Sequence, residues 1–176
     1  MKKKSIEKIL KWFSMMENEE YKFPKTKQEL FKLKRLDLCC FCNRVPKEIS
    51  QVKNIKKLVV NIKGIDGALP KQIKYFKHLE ELNLGLTYIK KIHPNLYKLK
   101  KLKKLNLVGN FFHDIPKGIS ALRNLEELDL GLYGGKFPKD MVQLKKLNSL
   151  NLNFLDGFTS PQKEWFDNLK TQKIKL

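Results

Sequence analysis

The segment Leu102-Lys103-Lys104-Leu105-Asn106-Leu107 recurs along this chain with its apolar positions kept. Its counterparts are Leu33/Leu36/Leu38, Ile55/Leu58/Val60, Leu79/Leu82/Leu84, Leu125/Leu128/Leu130 and Leu147/Leu150/Leu152. Successive copies begin 22, 24, 23, 23 and 22 residues apart, and Ile174 and Leu176 fill the last two slots of a partial final copy. A near-constant period of this length means a stack of equivalent units, which excludes most other folds. Within each copy apolar and polar residues alternate, as in a short strand with one buried face. Each copy then carries a second apolar set. In the fourth it is Phe112, Ile115, Ile119 and Leu122, spaced by three and four, which suits a helical or 3₁₀ turn. A proline marks this half in Val45-Pro46, Leu69-Pro70, Ile115-Pro116 and Phe137-Pro138.

One such unit cannot fold alone. Burying its handful of apolar side chains returns far less than the entropy lost on ordering the unit, so stacking on neighbours must supply the difference. The expected product is an α/β solenoid. A parallel sheet of six or seven strands lines its concave side, and short helical or 3₁₀ segments form the convex side.

The pattern L-x-x-L-x-L-x-x-N-x-L, followed by I-P-x-x-I-x-x-L, resembles that of bacterial leucine-rich repeat proteins over about Leu33 to Leu176. The resemblance implies a right-handed superhelix and a non-catalytic binding role. It also implies an asparagine at the ninth slot that bonds backbone groups of neighbouring turns. Only Asn110 obeys; the other copies carry Phe41, Lys63, Thr87, Tyr133 and Leu155. The turns after the strands must therefore find other partners for their backbone groups.

Both ends read as caps of one structural domain. In residues 1–32, Ile6, Ile9, Leu10, Phe13 and Met16 share a helical face opened by Ser5, and Thr26 with Glu29 matches a capping box for a second short helix. These helices are expected to cover the open edge of the first strand. The stretch from Phe23 to Leu30 resembles the lead-in segment of bacterial leucine-rich repeat proteins. The repeats occupy 33–159. In 160–176, Ser160 and Pro161 open a helix carrying Trp165 and Phe166, followed by the last strand.

Composition limits the partners. Lys+Arg number 37 against 18 Asp+Glu, a formal net charge of +19. Arg35, Arg44 and Arg123 are the only arginines, so 37 less three leaves 34 lysines. Arginine is the usual choice for bidentate phosphate and base recognition. A lysine excess with many Ile, Asn and Phe is also what compositional drift in an A+T-rich genome produces. No run of about 18 apolar residues exists, so the sequence offers no membrane-spanning helix. Lys2, Lys3 and Lys4 imitate the start of a signal peptide, but Glu7, Lys8 and Lys11 interrupt the apolar stretch that should follow. The expectation is a cytoplasmic monomer, or one exported by a route that needs no such segment.

No pattern for chemistry stands out. Cys39, Cys40 and Cys42 are an odd, clustered set, poor for a disulfide framework and without the second cluster a metal site needs. His78, His93 and His113 sit in separate repeats at dissimilar slots and read as exposed loop residues. Gly134-Gly135 and Val108-Gly109-Asn110 are turns, not phosphate-cradling loops. Glu80-Glu81 and Glu126-Glu127 lack the burial that tunes an acid–base pair. The expectation is no enzyme, no cofactor, no metal and no small-molecule substrate.

Function is therefore sought on the sheet. The third slot of each copy reads Arg35, Lys57, Glu81, Lys104, Glu127, Ser149, which stacks into a ladder of alternating sign. The fifth reads Asp37, Val59, Asn83, Asn106, Asp129, Asn151, a polar and slightly acidic row. Tyr88, Phe111, Tyr133 and Phe154 follow successive strands as an aromatic row, either an exposed patch or plugs in the core. One reading is a protein-binding module using Glu81, Asn83, Lys104, Asn106, Glu127, Asp129 and Asn151 with that aromatic edge. The other is lysine-driven binding of nucleic acid or anionic membrane through the flank, where Lys53, Lys74, Lys77, Lys98, Lys100, Lys101, Lys145 and Lys146 precede the strands.

Overall fold

The computed structural model describes residues 1–17, 22–38, 45–60, 71–111, 114–115, 118–131, 138–152 and 159–170. Six strands follow one another in the chain: β1 (Arg35–Leu38), β2 (Lys57–Val60), β3 (Glu81–Asn83), β4 (Lys104–Asn106), β5 (Glu127–Gly131) and β6 (Ser149–Leu152). They form one parallel sheet in sequence order, as expected of a stack in which each repeat pairs with the next. The expected last strand at Ile174 and Leu176 lies outside the described residues.

Register follows the repeat. Leu36, Leu58, Leu82, Leu105, Leu128 and Leu150 are lateral partners across the sheet. All six are buried, at 2% exposure or less. The returning half of each repeat forms a 3₁₀ turn: η1 (Lys47–Gln51), η2 (Lys71–Tyr75), η3 (Pro94–Lys98), η4 (Ile119–Ala121) and η5 (Lys139–Gln143). Each turn drops one apolar anchor into the core, namely Ile49, Ile73, Leu96, Ile119 and Met141. Neighbouring 3₁₀ turns pack on each other, so the core is a single slab between sheet and turns.

The caps close the slab from the 3₁₀ side. Helix α1 (Lys3–Ser14) buries Ile6, Ile9, Trp12 and Phe13, and packs on η1. A salt bridge from Lys8 to Glu48, 2.9 Å, reinforces that contact. Ser5 does not open this helix: the chain turns helical at Lys2, whose carbonyl accepts from the Ser5 and Ile6 amides. The amphipathic face holds the helix without a side-chain cap. Helix α2 (Lys27–Lys32) does have its capping box. Thr26 Oγ1 accepts from the Glu29 amide, and Glu29 reaches back to the Lys25 amide at 2.7 Å. The two segments are joined by the stacked rings of Phe13 and Phe23. Strand β1 ends the sheet and carries an Arg35–Asp37 pair, a charge that disfavours edge-to-edge pairing.

At the other end α3 (Ser160–Lys170) packs on η5 and buries Phe166 and Leu169, with Trp165 half-buried. Its opening is a second capping box. The buried Gln162 side chain accepts from the Thr159 amide at 2.9 Å and donates to Pro138 O of the preceding repeat. Among the described residues no helix is long and apolar enough to cross a membrane. Leu105, 2% exposed in the middle of the leucine row, tests the register. Leu105→Ala is expected to cost ~2–5 kcal/mol in denaturant unfolding, whereas a solvent-facing slot would leave stability unchanged.

Candidate functional site

The concave face carries the two polar rows in lateral register. Arg35, Lys57, Glu81, Lys104, Glu127 and Ser149 are neighbours across the sheet, as are Asp37, Val59, Asn83, Asn106, Asp129 and Asn151. The charged row closes into two pairs, Lys57–Glu81 and Lys104–Glu127, both 2.7 Å. The Glu127 carboxylate, by its hydrogen bond first, pushes the Lys104 ammonium above the ordinary lysine value. Beside this row Glu80 takes Lys56 at 2.8 Å and Lys103 at 3.8 Å. The hydrogen bond from Lys56 holds the Glu80 carboxyl below the usual carboxylate range. Exposed pairs of this kind contribute ~0–1 kcal/mol each, so they set register and cancel charge more than they stabilise.

Above the pairs lies a groove of about 340 Å³, lined by Lys57, Glu81, Asn83, Lys104, Asn106, Glu127, Asp129, Ser149 and Asn151. The structure thus brings together all seven sheet residues singled out from the sequence. Three of them also hold the backbone. Asn83 Oδ1 accepts from the Gly85 amide at 2.8 Å, Asn106 Oδ1 from Val108 at 2.9 Å, and Asp129 Oδ1 from Gly131 at 3.2 Å. The first two bonds turn the chain at the ends of β3 and β4, and the third lies inside β5, where its register with β6 shifts. Val59 breaks the polar row and is buried at 7% exposure.

The groove's rim follows from the next turn. Asn110 donates to Leu84 O and Leu107 O, both at 2.8 Å, and its Oδ1 accepts from the Ile89 amide at 2.8 Å. Thr87, fully buried, places its hydroxyl 2.8 Å from Leu84 O and 3.0 Å from Asn110 Oδ1. Between them Thr87 and Asn110 hold this turn. Thr87 and Ile89 point inward, so Leu86 and Tyr88 are turned outward, each at φ +57°. Left-handed backbone costs a non-glycine residue ~1–2 kcal/mol. In the next repeat Gly109 takes the position of Leu86 at φ +69°, which shows that the turn itself demands this conformation. The Leu86 side chain lies over Gly109, where a Cβ would come within 2.4 Å of it.

The result is an exposed apolar rim. Leu86 is 65% exposed, Phe111 59% and Tyr88 37%, and the Tyr88 and Phe111 rings stack at 5.3 Å. For these two aromatics the alternatives left open by the sequence resolve to exposure. Tyr133 and Phe154 lie outside the described residues.

Solved structures resemble this arrangement. An internalin of Listeria monocytogenes aligns over 83% of the chain and 42% of its own length, with a TM-score of 0.58 at 20% identity. A leucine-rich repeat protein of Leptospira interrogans aligns over 87% of the chain and 50% of its own length, with a TM-score of 0.50 at 22% identity. This chain has the leucine-rich repeat fold. It spans half or less of the length of those solved chains. No family model matches it.

Within the leucine-rich repeat frame, two of the three histidines lie among the described residues. His93 caps η3, its Nδ1 accepting from the Asn95 amide at 3.1 Å, and His78 is half-buried. Neither is the exposed loop residue expected from sequence. His113 and the cluster Cys39, Cys40 and Cys42 lie outside the described residues. Among the described residues no three His, Cys, Asp or Glu side chains gather to hold a metal. Sequence reasoning missed Leu86 as a rim residue. The available signal was its alignment with Gly109 at a slot where glycine is the unstrained choice.

Two substitutions test this geometry. Asn106→Ala is expected to lose ~1 kcal/mol with the Val108 amide bond, while Asn106→Asp keeps an acceptor and hence most of the stability. Lys56→Gln is expected to move the Glu80 titration upward, because the bond that stabilises its charged form is weakened, as read from side-chain carboxyl shifts by NMR.

Proposed function

We propose that this chain is a non-catalytic protein-binding module whose partner lies in the concave groove and against the Leu86–Tyr88–Phe111 rim. The observation that carries this reading is the rim. Two left-handed non-glycine residues hold Leu86 and Tyr88 outward, beside an exposed Phe111. Strained backbone that exposes apolar side chains loses stability in the isolated chain and gains it back only against another surface. Stacked aromatics and a leucine in one patch are the composition of an interface centre. The adjoining groove offers neutral amides with carboxylate and ammonium groups, so charge of both signs, which suits a polypeptide more than a uniformly charged polymer. A rigid solenoid spends little ordering entropy on binding.

The test compares the wild-type chain with Leu86→Gly/Phe111→Ala as baits for proteins from a lysate of the source organism, washed at high salt. Leu86→Gly relieves the backbone strain, so thermal stability is expected to stay within about 1 kcal/mol of wild type. A protein held by the wild type should lose ~30-fold or more in affinity for the double variant, the loss of a hot spot. A captured set unchanged by the double variant and by Asn106→Asp would contradict the assigned face.

A further inference from the structure

The lysines of this chain sort by position. Those at the starts of β2 and β4, Lys56, Lys57, Lys103 and Lys104, each meet a glutamate within 2.7–3.8 Å. A second set does not. Lys53, Lys77, Lys100, Arg123 and Lys145 each stand two residues before the first apolar slot of five successive repeats. All five are exposed, and none has an ion-pair partner among the described residues. Paired strands lie ~4.8 Å apart, so these residues recur along the solenoid as a row of cations, one per repeat.

Two members of the row, Lys77 and Lys100, line a groove of about 740 Å³, more than twice the concave one. Lys47, Lys74, Tyr75, Lys98 and Lys101 line it with them. Its one carboxylate, Glu48, is already taken by Lys8 at 2.9 Å. Lys100 spends one N–H on Ala121 O at 3.0 Å and keeps two. Tyr75, half-buried, presents a ring with the Lys74 ammonium 5.4 Å from its centroid. The half-buried His78 beside this groove senses the field: burial first, then Lys101, Lys56, Lys53 and Lys77, push its pKa down.

We infer that this groove and cation row form a second binding site, for the phosphate backbone of single-stranded nucleic acid. A row with one cation per repeat matches a polymer whose charges also recur regularly, ~3.4 Å apart when its bases stack and farther when they splay. A recessed groove lined by ammonium groups suits a single strand whose backbone can follow it. A bilayer would need apolar side chains beside the lysines. The exposed cluster Leu86, Tyr88 and Phe111 instead follows the strands, on the opposite rim from residues that precede them. Lysine ammonium groups act as point charges, so the site reads the backbone and not base sequence.

Fluorescence anisotropy with a labelled 20-nucleotide oligo(dT) and a mixed-sequence 20-mer tests the site. Phosphatidylserine vesicles and poly-glutamate serve as competing anions. Both oligonucleotides should bind alike. With about five phosphates neutralised, affinity should fall ~100-fold between 50 and 200 mM salt. Lys74→Gln/Lys77→Gln/Lys100→Gln should weaken binding at least tenfold and flatten the salt dependence. Lys11→Gln/Lys22→Gln/Lys163→Gln, with the same net charge but an intact groove, should lose less than threefold. Equal losses in the two triple variants would overturn the site in favour of bulk charge. Vesicle or poly-glutamate binding as tight as that of the oligonucleotides, or no oligonucleotide binding, would also overturn it.

Discussion

Everything in this structure depends on the fact that no repeat can bury its own apolar set. Leu105 is shielded by Leu82 on one side and Leu128 on the other, and the same holds along the row from Leu36 to Leu150. Stacking therefore fixes the lateral order of every residue. Once the leucines align, the residues between them align too, and the surface becomes a set of rows one repeat apart. Stacking also leaves two raw ends, which α1 and α3 cover on the 3₁₀ side of the slab.

Each row then has its own chemistry. Opposite charges in the third slot neutralise each other across β2–β3 and β4–β5. Asparagine and aspartate in the fifth slot divide their atoms between the groove and a backbone amide two residues on. Ahead of the strands runs a row of cations without ion-pair partners among the described residues, and after them an apolar rim. A chain with net charge +19 thus keeps its polar groove nearly balanced and gives one flank a groove with six lysines against one glutamate. The two rims lie at opposite ends of short strands, which permits one surface to be occupied without covering the other.

Much of this was legible in the sequence because a repeat of constant period turns a linear spacing into a spatial neighbour. The strands, their order and the row of alternating charge from Lys57 to Glu127 follow from slot counting alone; which neighbours in that row pair, and that Tyr88 and Phe111 are exposed, come from the packed structure. The turn after β3 does not. Slot counting marks Thr87 as a failed asparagine, yet its hydroxyl reaches Leu84 O and Asn110 and sits fully buried. Leu86 signals its left-handed backbone only through its alignment with Gly109, since a leucine there is disfavoured locally and held by the inward pull of Thr87 and Ile89. Helix α1 starts at Lys3 and not at Ser5, because a good capping residue is a weaker determinant than the apolar face behind it. His93 caps η3 although a histidine acting as a cap has no sequence signature.

The central claim is that the fold itself, with no partner present, holds the rim in its exposed and strained form. The most direct measurement is backbone NMR of the free chain: coupling constants and shifts that report φ at Leu86 and Tyr88, with amide exchange at Ile89 and Phe111, whose N–H groups donate to Asn110 Oδ1 and Ile89 O at 2.8 Å. Positive φ at both residues with slow exchange at both amides is the predicted result. Averaged or negative φ with rapid exchange would contradict the account, because the rim would then form only when a partner arrives.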